Sequence, residues 1–168
     1  MEPMKKMKIH EDYLRSVVFG FQDALVSTTG VIAGVSAGTA NKDVVVLTGV
    51  VTILVEALSM GVGQYMSEKS VHQMDKTGRH TDNLVVGGLA MGISYFLGGL
   101  VPLTPILLLA LPLSSTVSII SALVGLFILG FIKAKIVKVN PWHSAVEVLL
   151  LGGAATAIGL IAGYLFKV

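Results

Sequence analysis

The stretch VVVLTGVVTILVEALSMGVGQYM, residues 44–66, decides the fold. It is apolar for long enough to cross a bilayer as a helix, which takes roughly 20 residues. A carboxylate, Glu56, stands at its middle, and a thioether, Met60, follows one helical turn later. Intramembrane acids are expensive, at least ~2.5–3.5 kcal/mol at mid-bilayer by insertion scales, and they usually mark ion or proton pathways.

Composition agrees with a membrane setting. The 168 residues are 54% hydrophobic and only 13% charged, with a mean hydropathy of +0.82. A soluble domain has about a quarter of its residues charged. The expectation is one all-α transmembrane domain, residues 1–168. A net charge of +2 gives no reason to expect a nucleic-acid partner. The absence of cysteine excludes disulfides, thiolate metal sites and cysteine nucleophiles. The start of the chain, MEPMKKMKIHEDYLRS, is polar and basic. The apolar run after it exceeds the ~7–15 residues of a signal-peptide core and has no obvious cleavage site, so it reads as a retained first span.

Five spans are expected, at about 14–40, 44–66, 84–111, 114–134 and 143–166, with a polar loop at 67–83, SEKSVHQMDKTGRHTDN. Pro102 and Pro105 are expected to kink or end the third span, and Pro112 to mark a tight turn. With five spans, one side of the membrane holds Lys5, Lys6, Lys8, Arg15, Lys69, Lys76, Arg79, Lys133, Lys135 and Lys138. The other side holds only Lys42 and Lys167. The positive-inside rule then puts the N-terminus in the cytosol and the C-terminus outside or in a lumen.

Small residues recur at helix-packing intervals: Gly30, Gly34 and Gly38 in the first span, Gly88 and Gly92 in the third, Ala155, Gly159 and Gly163 in the fifth. Such spacing lets backbones approach closely in a membrane. In the first span Ser16, Gly20, Asp23, Ser27 and the three glycines form one small-residue face that carries a carboxylate. This face is expected to bring the first helices of two protomers together.

Three acids lie within spans: Asp23, Glu56 and Glu147. Asp23 follows Arg15 by eight residues, roughly 12 Å along a helix. Glu56 follows Asp43 by thirteen, roughly 20 Å, and so lies near the membrane centre. Glu147, four residues past His143, is nearer an interface. All three are candidates for proton coupling. On the second helix Glu56, Met60, Gly63 and Ser67 share a face, bordered by Gln64. Hard carboxylate oxygen beside soft sulfur suits a borderline divalent transition metal better than Mg²⁺ or Ca²⁺. Glu56 and Met60 are therefore candidate metal ligands, with Asp23 a candidate acid on the first span. Taken alone, Met60 reads as packing before it reads as a ligand, since methionine is a common gap-filler.

These residues carry a resemblance. RSVVFGFQDALVSTTGVIAGVSAG, followed by EALSMGVGQYMSEKS, resembles the first two spans of the vacuolar iron transporter family. SYFLGGLVPLTP and AVEVLLLGGAATAIGLIAG are similar to its third and fifth. The likeness runs from Tyr13 onward. It implies a five-span homodimer that exchanges Fe²⁺, and often Mn²⁺, for protons along a path at the dimer interface. In that family the positions matching Asp23 and Met60 line the path, and Glu56 falls in the same stretch. The resemblance also implies a cell membrane in a prokaryote and a vacuolar membrane in a eukaryote. Metal ion and protons would be cargo, and no cofactor is expected.

Three departures stand out. Ala24 replaces the family's usual glycine after the aspartate, and Gln64 replaces a frequent glutamate. The 67–83 loop is also too short for the glutamate-rich metal-binding insert of some members. It holds Glu68, His72, Asp75, His80 and Asp82, which read as a solvated loop. Two other functions fit buried acids: a proton-coupled exporter of organic cations, and a membrane scaffold whose acids pair with a partner. Aromatic residues around the acids would favour the exporter, and Phe19, Phe21 and Tyr65 are the ones near them. No nucleophile–base pair, phosphate loop or zinc motif is present, so catalysis is not expected.

Overall fold

A computed structural model describes residues 11–75 and 83–167. Lys5, Lys6, Lys8, Lys76, Arg79, His80 and Asp82 lie outside the described residues. The rest forms five helices: α1 (Glu11–Gly38), α2 (Lys42–Met74), α3 (Leu84–Leu108), α4 (Leu113–Val137) and α5 (Pro141–Leu165). All five are long and apolar enough to cross a membrane. The chain is an integral membrane protein of the all-α class.

Local chemistry sets the helix starts. Asn41, Asn83 and Asn140 each cap the helix that follows, the side-chain oxygen accepting from two backbone N–H groups of the first turn. Pro141 then occupies the first position of α5, where no N–H is needed. Pro112 precedes α4.

Two expectations about element ends are revised. The third span does not end at its prolines, since α3 continues through both to Leu108. Pro105 cannot donate to the carbonyl of Val101; Ser121 Oγ on α4, which donates to the Ser118 carbonyl at 2.8 Å, lies 3.5 Å from it. Ser118 Oγ donates to the carbonyl of Pro102 at 2.6 Å. Serines of α4 thus lie against carbonyls of the proline-bearing turns of α3. The second revision concerns the polar loop. α2 runs on to Met74, so Glu68 and His72 are helical. Its 33 residues span roughly 50 Å, beyond the ~30 Å hydrocarbon layer.

α1 is the central helix and touches the other four. It contributes Ile32 to a core with Val45, Ile53, Leu103 and Ile106, and Leu25 to a second core with Ala122, Leu126 and Val148. α2 lies at the margin, packed only on α1 and α3. Tyr13 Oη accepts from the Asn83 N–H at 2.9 Å, tying the start of α1 to the start of α3. At the opposite side Lys42 Nζ donates to the Leu107 carbonyl at 3.2 Å. Among the described basic residues, Arg15, Lys69, Lys133, Lys135 and Lys138 all fall on the side that carries the start of α1.

The glycine face of α1 has a different partner from the one expected. Gly30, Gly34 and Gly38 pack against Ala155, Gly159 and Gly163 of α5 in the same chain. A Cβ on Gly34 would lie 2.7 Å from the Gly159 carbonyl oxygen. Further along, Gly20 abuts the Met91 carbonyl of α3. Gly61 of α2 likewise interlocks with Gly88 and Gly92 of α3. The spacing marks close approach, and the approach is within one protomer.

Candidate metal pathway

The packed stripe of α2 runs through Val45, Gly49, Ile53, Ala57 and Gly61. Glu56 is one residue, and therefore about 100° of helix, away from Ala57. It points off the stripe and is exposed on the protomer surface. Met60, one turn on, is half-buried. Asp23 on α1 is also half-buried, and it feels the charge of Glu56 across the α1–α2 interface. The fold therefore brings together two acids that stand thirty-three residues apart in sequence.

Sequence reasoning missed a third polar group. Tyr95 on α3 is 0% exposed, and both acids act on its phenol electrostatically. Its hydroxyl lies 2.7 Å from Ser27 Oγ. Ser27 has one hydroxyl proton, which it donates to the Asp23 carbonyl at 2.8 Å. The Tyr95 O–H is then the donor to Ser27. A tyrosine within the apolar run SYFLGGL was the available signal, since a buried phenol needs a polar partner.

The other expected residue stands apart. Glu147 is exposed near the start of α5, and no interaction links it to Asp23. Gln64 is half-buried and donates through Nε2 to Glu68 Oε1 at 3.0 Å. Glu68 is buried and ion-paired to Arg15, contrary to a solvated loop. Among the described residues no three His, Cys, Asp or Glu side chains gather into one metal-holding group. One protomer offers an open pair of carboxylates with a thioether and a phenol nearby.

Comparison with known proteins bears on the whole chain. The VIT family model matches residues 14–86 and 71–164, two segments that overlap over 71–86. Vacuolar iron transporter 1 of Arabidopsis thaliana is 22% identical, with 87% of this chain and 83% of the relative covered. That alignment occupies 207 positions, more than the 168 residues of this chain, so the relative carries residues that this chain lacks. Vacuolar iron transporter 1 of Eucalyptus grandis is 23% identical over the same shares. Vacuolar iron transporter homolog 3 of Arabidopsis thaliana is 27% identical over 158 positions, covering 87% of this chain and 79% of the relative. With the family model spanning nearly all of α1 to α5, the chain belongs to the VIT family.

Proposed function

We propose that the protein is a proton-coupled transporter of divalent transition metal, Fe²⁺ and also Mn²⁺, that moves the ion out of the cytosol through a site shared by two protomers. Relatives that carry the name vacuolar iron transporter support iron as cargo. The carrying observation is the Asp23–Glu56 pair, drawn together inside membrane helices with Glu56 on an uncovered face. A carboxylate facing lipid at mid-bilayer is costly. A second copy seated over α2 relieves that cost and brings a second Asp23, Glu56 and Met60. One set is too small to replace the hydration shell of a divalent ion, which takes about six ligands when hard. Two sets with waters suffice.

The chemistry follows from proximity. Clustered carboxylates in a low-dielectric setting cannot all be ionised, so part of the cluster carries protons. An arriving dication displaces them, and rebinding of protons on the far side releases the metal. Sulfur from Met60 biases the site toward transition metals. The basic residues at the α1-start side support placing that side in the cytosol. The deciding experiment is uptake of radiolabelled Fe²⁺ and Mn²⁺ into proteoliposomes under an imposed pH gradient. Flux of either ion that responds to the gradient is expected. A purified, folded protein that moves neither ion would sink the reading.

A further inference from the structure

α1 and α2 run antiparallel, and each carries a ridge at four-residue steps. The α1 ridge is Arg15, Phe19, Asp23 and Ser27, and the α2 ridge is Glu68, Gln64, Met60 and Glu56. The ridges are linked at two levels: Asp23 and Glu56 act on each other electrostatically partway along the helices, and Arg15 pairs with Glu68 at the end that carries the start of α1. Arg15 is two turns from Asp23, roughly 12 Å along the helix.

The Arg15–Glu68 pair is lopsided. Glu68 is 7% exposed, whereas the Arg15 side chain is 61% exposed. Glu68 is further held by the Gln64 amide, donating at 3.0 Å. Arg15 has an alternative: its Nη2 is 3.5 Å from Asp12 Oδ1, one turn back on its own helix. A fixed, buried carboxylate thus faces a movable cation with a second acceptor within reach. A buried acid stripped of its cation is strongly disfavoured, so Arg15 leaves Glu68 only when another cation takes its place. Once Arg15 has gone, turning the Gln64 amide presents its oxygen instead of its N–H at the same spot. The acid that the chain lacks at position 64 is thereby supplied one turn later.

We propose that Glu68 is an entrance ligand for the divalent cation, held closed by Arg15, which transfers to Asp12 as the metal arrives. This rests on the transport reading above, and its failure is separable from failure of that reading. Initial flux into proteoliposomes is measured against Fe²⁺ and Mn²⁺ concentration for the parent, Arg15→Gln, Arg15→Lys and Glu68→Gln, with thermal unfolding recorded for each. Without the competing charge, Arg15→Gln lowers the half-saturating concentration by about two- to fivefold, as expected for a pair that is largely solvent-exposed on one side. Arg15→Lys falls between Arg15→Gln and the parent. Glu68→Gln raises the half-saturating concentration. If Glu68→Gln does not fold, Glu68→Asp, which keeps the charge on a shorter arm, raises it by less. Shifts of opposite sign are the signature. A mere staple between helices changes stability on either removal and leaves half-saturation alone, and that result overturns the inference. So does a shift of the same sign in Arg15→Gln and Glu68→Gln. A parent that carries no metal is the different failure, which removes the transport reading and the entrance together.

Discussion

At the scale of single residues, the site depends on which polar atoms find partners inside the membrane. Asp23 is served only in part: Ser27 holds its backbone carbonyl, and its carboxylate feels the charge of Glu56. Asp23→Asn keeps the size and the helix, so folding is expected to survive while metal-driven proton movement disappears. A pH-dye assay in proteoliposomes checks this, and parent-like proton movement assigns Asp23 to structure alone. Tyr95→Phe removes one hydroxyl from a fully buried position. It is expected to cost about 1 kcal/mol of stability, typical of one hydrogen bond, and to slow flux beyond what that loss explains. Flux unchanged at equal protein density makes the phenol a packing group. Met60→Leu is close to volume-conserving and costs less than about 1.5 kcal/mol. The ranking of Fe²⁺ over other divalent ions is nonetheless expected to weaken, and competition assays with unlabelled metals read this directly.

At the scale of elements, glycine spacing reports close approach without naming the partner. The α1 and α5 stripes were both visible, but only their contact in space shows that they serve each other. Gly34→Leu is therefore expected to damage the protomer itself rather than only its assembly, because the new side chain meets the α5 backbone. Overpacking of this kind costs about 1–3 kcal/mol or more. Gly63 is the control, since a Cβ there meets nothing within 4 Å. Gly63→Ala is expected to be neutral or stabilising by up to about 1 kcal/mol, as for glycine in a helix interior. Thermal unfolding in detergent separates the two, and equal melting of both variants contradicts the α1–α5 assignment. The same logic explains the length of α2. Its polar end looked like a loop by composition, yet nothing between Ser67 and Met74 breaks a helix, and the Arg15–Glu68 pair anchors it to α1.

At the scale of the whole molecule, the uncovered acid on α2 sets the expectation of a second copy. The chain has no cysteine, so a single introduced thiol is unambiguous. Ser59→Cys, on the exposed face of α2 close to Glu56, is expected to cross-link two protomers with a short bifunctional thiol reagent. Full metal flux from protein that stays monomeric is incompatible with a shared site. Coupling has its own signature. Flux is expected to quicken as the receiving compartment is made more acidic, because protons must rebind the carboxylates before the metal leaves. Indifference to that gradient removes proton exchange from the mechanism.

Sequence alone determined what depends on the solvent and on local chemistry. Apolar length set the number of membrane helices, and asparagine and proline set where several begin. The cost of a charge in hydrocarbon singled out Asp23 and Glu56 before any partner was known. Pairings across long stretches of chain were decided only by tertiary structure. The meeting of Asp23 with Glu56, the Tyr95–Ser27 hydrogen bond, the burial of Glu68 under Arg15 and the union of the α1 and α5 glycines all join residues at least thirty positions apart. The physical reason is that lipid accepts any apolar helix face equally. Hydropathy then says which segments enter the membrane, while van der Waals fit and the few polar atoms choose which faces touch.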